Sequence, residues 1–314
     1  MKKQTLSFLL CVFAFGLNGC KPSSSVAPLP PPSTGRIEFP KIDRHPAVAN
    51  WRRGSMTSIP IYNPNSDDVW QMDLRSYDLS GLDLRRSSND LMYADFDART
   101  KWPSADKMPS GFDWQKIMEL GKNPGLGIRS LHARGITGRG VGIAIIDQPL
   151  LVDHQEYAGR MRLYEEINIA PRIPSEMHGP AVTSIAVGKT TGVAPEADLY
   201  YIGCYAGDWG TGGANNFTYN FRYIAQGIQR ILGINRQLPE GHKIRVISIS
   251  VGWSPENKGY DQVMAAVEKA KAAGLLVVSS SLKETFGFKF QGLGRAPLAD
   301  PDKFESYEPA IHLA

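Results

Sequence analysis

Short apolar runs alternate with amphipathic stretches through the second half of the chain. The runs are rich in β-branched residues, as buried strands are, and they cover residues 141–146, 199–202, 244–249 and 275–278. Between them, apolar residues recur at three- and four-residue steps and predict helices from residue 178, over about 219–235 and over about 260–273. Alternating strands and helices predict an α/β fold, a doubly wound parallel sheet with helices on both faces.

The preceding segment, residues 41–124, has aromatic side chains and aspartate-rich turns without a strong helix or strand period. Its tryptophans, including Trp70, Trp102 and Trp114, indicate that it packs on something, because bare linkers seldom carry large apolar side chains. We interpret 41–124 as an irregular N-terminal extension of unknown fold, which leaves 125–314 as the α/β domain. A small prodomain, an extension wrapped on the main domain and a separate module all fit this pattern.

The N-terminus has the pattern of an export signal. Two lysines precede the apolar segment 6–15, which is too short to span a bilayer and is followed by Cys20. The end of this segment resembles the lipobox of bacterial lipoproteins, which implies a signal peptide over 1–20 and a lipid on Cys20. An ordinary export signal or an uncleaved anchor with a chance cysteine is the alternative. Residues 21–40 are rich in serine and proline and predict an extended tether, so we expect a lipid-anchored protein on the outer side of a membrane in the bacterial cell envelope.

Charge and cysteine content limit the other partners. The formal net charge is +4 with lysine and arginine scattered among acids, so nucleic acid is not a predicted partner. Of three cysteines, Cys204 alone would remain after processing as a free thiol, which excludes an intramolecular disulfide. No Cys or His cluster has zinc-ligand spacing, so no metal site is predicted.

Two residues carry the candidate chemistry. Asp147 directly follows the apolar run 141–146, at the carboxyl end of a predicted parallel strand, where reactive groups gather. His178 is followed by Gly179 and opens a helix of small residues. A strand-end aspartate also occurs in dinucleotide-binding folds. That alternative is distant here, because no strand is followed by a glycine-rich phosphate loop.

The spacing and the flanking segments resemble the subtilase family of serine peptidases. His178 comes 31 residues after Asp147, against about 32 in the subtilisin order Asp, His, Ser. The segment 192–195 reads Gly-Val-Ala-Pro, and 246–252 reads Val-Ile-Ser-Ile-Ser-Val-Gly. The likeness covers about 138–281. It implies a sheet of subtilisin type, Asp147 and His178 as catalytic residues, and peptide-bond hydrolysis of a peptide or protein substrate that pairs with Ser250, Val251 and Gly252. Calcium is common in the family, but no calcium site is assigned, no other cofactor is expected, and the oligomeric state stays open.

The sequence also departs from the family pattern. Gln148-Pro149 and Pro180-Ala181 replace the usual residues after the aspartate and the histidine, and Lys283 stands where an oxyanion-hole asparagine is expected. The resemblance puts the nucleophilic serine on the order of 150 residues after His178, which is beyond Ala314, so the subtilisin-type sheet is expected to be incomplete at its C-terminus. Other serines of the chain could in principle act as the nucleophile, but none stands in the sequence setting in which the family places its nucleophile. They are Ser184, Ser254, Ser279, Ser280, Ser281 and Ser306.

Two hypotheses follow from the missing serine. The first is a divergent serine endopeptidase that is inactive as this chain, because the segment with its nucleophile is absent. The second is a non-catalytic, lipid-anchored surface protein that keeps the peptide-binding strand of the subtilase fold.

Overall fold

The computed structural model describes residues 37–49, 53–66, 68, 70–210, 216–280, 287 and 293–309. They fall into two compact units. One, here the sheet unit, comprises the chain up to residue 48 together with 135–290; the other, here the coil unit, comprises 49–134 with 291–314. These units divide the chain differently from the predicted segments 41–124 and 125–314, because the first strand joins the sheet unit and residues 293–309 join the coil unit.

The described strands and helices are numbered along the chain. The strands are β1 (Lys41–Ile42), β2 (Gly142–Asp147), β3 (Met161–Ile167), β4 (Asp198–Cys204), β5 (Gly207–Trp209), β6 (Phe217–Tyr219), β7 (Ile244–Ile249), β8 (Leu276–Ser279), β9 (Leu293–Arg295) and β10 (Tyr307–Pro309). The helices are α1 (Ser88–Leu91), α2 (Trp114–Lys122), α3 (Ile128–Ala133), α4 (His178–Val187), α5 (Arg222–Gln237) and α6 (Tyr260–Ala272).

The sheet unit is built on a six-stranded parallel sheet in the order β1-β3-β4-β2-β7-β8. Successive side chains of each strand point to opposite faces. On one face Ile146 and Ile202 join a core with α5 and α6, and on the other Ile145 and Tyr201 join a core with α4. The predicted doubly wound parallel sheet is therefore confirmed, and the four predicted strands correspond to β2, β4, β7 and β8. The short antiparallel pair β5–β6 follows β4.

Strand β3 does not emerge from the sequence pattern because charges interrupt it. Glu165 accepts hydrogen bonds from Lys41 at 2.6 Å and from Arg230 at 2.7 Å. Glu166 is paired with Arg44 at 2.5 Å. A buried carboxylate is tolerated when a cation and hydrogen bonds compensate it, and here the cations come from β1, the segment after it and α5.

In the coil unit the chain winds into stacked turns. Parallel bridges join Ser55 to Asp78 and Asp78 to Lys101, 23 residues further along. Backbone bonds complete the stacking: Asp78 N–H donates to Gly54 O at 3.1 Å, and Leu79 N–H donates to Lys101 O at 2.8 Å. Each turn therefore hydrogen-bonds to the next as strands do in a sheet.

A five-residue repeat positions these turns. Leu74, Leu79 and Leu84 are buried, and each follows an aspartate. The carboxylates of Asp73, Asp78 and Asp83 accept the backbone N–H two residues further on, at 3.1–3.2 Å. Aspartate stabilises a corner by this local hydrogen bond, while the leucine after it faces the interior.

Candidate active site

Asp147 is the last residue of β2, and its neighbours on both sides are parallel strands. The residue is 8% exposed. Its Oδ1 atom accepts the Gln148 N–H at 2.7 Å and lies 2.8 Å from His178 Nδ1. The carboxylate is therefore held at the carboxyl edge of the sheet by its own loop and faces the imidazole.

His178 is the first residue of α4, and its side chain is 40% exposed. The hydrogen bond to Asp147 raises the pKa of the His178 imidazole; partial burial opposes this, and the charges of Asp147 and Glu176 add to it. Because Nδ1 donates to the carboxylate, Nε2 is the nitrogen left for proton transfer. The structure thus brings together the two predicted catalytic residues. His178 is placed as a general base, and Asp147 orients its ring.

Two hydrogen bonds hold the loop after Asp147, one from β4 and one from the turn that enters α4. The Tyr201 hydroxyl donates to Gln148 O at 2.5 Å, and the Glu176 N–H donates to Pro149 O at 3.0 Å. A Cβ atom on Gly179 would overlap the Tyr201 hydroxyl and lie 2.8 Å from Gln148 O. The glycine after His178 is therefore required by the close approach of this loop to the helix.

Glu176 and Tyr205 also belong to this site, and the sequence reasoning missed them. The Tyr205 hydroxyl donates to Glu176 Oε1. Burial raises the pKa of the Glu176 carboxyl, the Tyr205 hydrogen bond opposes that rise, and the charge of Asp147 adds to it. Only one sequence signal could have found Glu176, namely an acid two positions before the candidate histidine.

The predicted substrate-binding residues Ser250, Val251 and Gly252 directly follow β7 and are half-buried. Parallel strands end at a common edge, so this segment leaves the sheet on the same side as Asp147. Trp253 is buried and packs against Phe221, with ring centroids 5.8 Å apart. The segment is therefore anchored immediately after Gly252; its role in substrate binding stays a prediction.

The described serines do not complete the set. Ser184 lies six residues after His178 on α4, about 9 Å along the helix axis. The Ser254 hydroxyl lies 3.3 Å from Asn257 Oδ1, and Ser306 is in a short 3-10 turn of the coil unit. Among the described residues, the hydrogen-bond partner that the structure gives for the His178 imidazole is Asp147. Ser281, Lys283 and Cys20 lie outside the described residues.

Three further features of the described residues concern metal ions, the free cysteine and membrane spans. No group of three or more His, Cys, Asp or Glu side chains in the described ranges could hold a metal ion. Burial raises the pKa of the Cys204 thiol, which makes it a poor nucleophile. Among the described helices, none has the length and apolar content needed to cross a bilayer.

Comparisons with known proteins bear on the family of the chain. A sequence model of the subtilase family (Peptidase_S8) matches residues 138–305, more than half of the chain. The subtilisin-like protease PopC of Myxococcus xanthus (strain DK1622) is 36% identical over 85 residues, which cover 24% of this chain and 18% of that protein. The chain therefore spans less than a fifth of the length of that curated relative.

Two solved structures are similar to about half of the chain. One is described as the prenylagaramide maturation protease PagA, with a TM-score of 0.35, 14% identity, and coverage of 49% of this chain and 50% of that one. The other is the PatG macrocyclase in complex with peptide, with a TM-score of 0.34, 16% identity, and coverage of 49% and 54%. The assignment rests on the family match and not on these two likenesses. With Asp147 and His178 paired at the carboxyl edge of a parallel sheet inside the matched region, the chain belongs to the subtilase family.

Proposed function

We propose that this chain carries the aspartate–histidine half of a serine endopeptidase site and that residues 1–314 are inactive on their own for lack of a nucleophile. The observation that supports this proposal most directly is the 2.8 Å contact between Asp147 Oδ1 and His178 Nδ1, at the edge of the sheet where β2 ends. Peptide or protein chains are the proposed substrates, because serine peptidase chemistry is the general activity of the family.

In this mechanism Asp147 keeps the proton of the imidazole on Nδ1 and stabilises the cation that forms. His178 Nε2 takes the proton of a serine hydroxyl as that oxygen attacks the scissile carbonyl, and it later donates the proton to the leaving amine. The substrate backbone would pair with Ser250, Val251 and Gly252 beside the dyad. Lys283 is the proposed oxyanion donor in place of asparagine, whose removal costs about a hundred- to thousandfold in rate in a related site.

A fluorophosphonate probe tests the absence of a nucleophile. Purified residues 21–314 are expected to remain unlabelled, because the probe needs a serine activated by the histidine. The His178→Ala variant is the matched control for labelling that does not depend on the dyad. Labelling of the wild-type chain that is lost both in His178→Ala and on replacing one serine would overturn this part of the proposal.

A non-catalytic peptide-binding protein is the second candidate. It is favoured by the anchoring of the segment 250–252 through Trp253, which requires no nucleophile. The nucleotide sequence beyond codon 314 separates the two. A continuation, in frame or frameshifted, that encodes a glycine–serine helix start favours a peptidase, whereas unrelated sequence favours peptide binding alone.

We also propose that the protein is exported and anchored to a membrane through a lipid on Cys20, with residues 21–40 as a spacer. This proposal is supported by the sequence of residues 1–20, in which two lysines are followed by an apolar segment and then by Cys20. Metabolic labelling with an alkyne fatty acid in a bacterial host should mark the wild-type protein and not the Cys20→Ser variant. A wild-type protein that is processed but carries no fatty acid would contradict the anchor.

A further inference from the structure

Glu176 is fixed at both its backbone and its side chain beside the dyad. It lies two residues before His178, in the turn that enters α4. Its N–H donates to Pro149 O at 3.0 Å, and its carboxylate accepts the Tyr205 hydroxyl. The loop after β2 and the residue after β4 therefore both constrain this carboxylate.

The charge compensation of Glu176 differs from that of Glu165 and Asp198, two buried acids of the sheet unit. Glu165 is paired with Lys41 and Arg230, and Asp198 is paired with Arg162 at 2.7 Å. No lysine or arginine of the described residues forms an ion pair with Glu176, which has the neutral Tyr205 hydroxyl instead. Its charged neighbours are Asp147 and the imidazole of His178.

Burying a carboxylate without a permanent cation partner is costly. Among the described residues, the group near Glu176 that becomes cationic is His178, which carries a proton between the two halves of the reaction proposed above. We propose that Glu176 is a positioning residue whose carboxylate, oriented by Tyr205, stabilises the imidazolium form of His178 in addition to Asp147. This inference rests on the proposed role of His178 as the base.

The groups that face Glu176 determine its effect on stability. They are Asp147 from β2, Tyr205 after β4 and His178 from α4. The pKa of Glu176 is raised above its usual 4.5, so its favourable contribution to folding is present below pH 4.5 and is lost as the pH rises through the folded-state pKa. In its ionised form the carboxylate therefore opposes folding, while it favours protonation of His178.

The Glu176→Gln variant separates an electrostatic role from a structural one. Glutamine keeps an oxygen that can accept the Tyr205 hydrogen bond but removes the charge. NMR titration should then show the pKa of His178 lowered by roughly half a unit to one unit, a three- to tenfold loss of proton affinity. The urea midpoint at pH 7 should stay the same or rise. An unchanged His178 titration, or a lower urea midpoint, would overturn the proposal.

Two further variants control this experiment. Glu268→Gln removes an exposed acid of α6 that pairs with Lys271, and it should leave the titration of His178 unchanged. Asp147→Asn should lower the pKa of His178 and remove the downfield Nδ1 proton signal, whereas Glu176→Gln should keep that signal. If Asp147→Asn left the titration of His178 unchanged, Asp147 and His178 would not act as a dyad. That result would contradict the proposed function, whatever the result for Glu176→Gln.

Discussion

Gly179 illustrates how one missing side chain shapes the site. The Tyr201 hydroxyl reaches over the start of α4 to bond Gln148 O, and the space it uses is the space a Cβ atom would occupy. This bond and the neighbouring one from Glu176 to Pro149 hold the loop that begins at Asp147. The geometry of the dyad therefore depends on a residue outside the dyad that has no side chain of its own.

The Gly179→Ala variant should destabilise the sheet unit. Helix propensity alone predicts a gain of about 0.5–1 kcal/mol for alanine in a helix, but overpacking against Tyr201 and Gln148 costs typically about 1–3 kcal/mol. We expect the cost to prevail, with a lower urea midpoint and a weakened Nδ1 proton signal of His178. Gly159→Ala is the control, since a Cβ atom added at Gly159 would have no neighbour within 4 Å. A Gly179→Ala protein as stable as wild type would contradict this prediction. It would show that the loop after Asp147 can move to make room for the added Cβ atom.

At the scale of residues, the sequence identifies part of the site. Asp147 and His178 can be found because each is embedded in a local segment with a recognisable pattern. Glu176, Tyr201 and Tyr205 cannot be found in that way, because their relevance comes from contacts between separate elements. The hydrogen bond from Tyr205 to Glu176, for example, joins residues 29 positions apart.

At the scale of elements, the coil unit depends on its buried leucines. Leu79 is fully buried, and its N–H donates to the next turn at Lys101 O. Leu79 packs in a cluster with Leu74, Leu84, Leu91 and Phe112, so loss of its side chain leaves a cavity inside that cluster.

The Leu79→Ala variant should cost about 2–5 kcal/mol, as large-to-small changes in cores do. Hydrogen–deuterium exchange of the amides of Met56, Leu79 and Lys101 should accelerate together, because these amides join successive turns. Ile61→Ala, at a position 82% exposed, is the matched control and should leave exchange unchanged. If exchange accelerated only at the amide of Leu79, the turns would not unfold as one unit.

The elements that sequence reasoning finds and misses differ in one physical respect. Strands β2, β4, β7 and β8 are built around apolar runs, so their own residues reveal them. Strand β3 carries Arg162, Glu165 and Glu166, which partners distant in sequence neutralise. The coil unit escapes detection because its repeat of five residues matches neither the strand period of two nor the helix period of 3.6.

At the scale of the whole chain, the coil unit is in part an insertion in the sequence of the sheet unit. Strand β1 precedes residues 49–134, yet it pairs in parallel with β3 at one edge of the sheet. The chain thus contributes to the sheet, leaves it for residues 49–134, and returns to it at Gly135. A prediction that treats the region before residue 125 as one extension cannot find this, because a two-residue strand has no detectable period.

Strand β1 would also be the first element to receive a mechanical load applied through the N-terminal segment. Residues 37–48 open the described part of the chain, and Lys41 and Arg44 bind Glu165 and Glu166 of β3. Tension transmitted from the N-terminal segment would reach this sheet edge before it reached any residue of the coil unit or the dyad. The two ion pairs and the strand ladder would resist it side by side, so the edge of the sheet would act as a mechanical clamp.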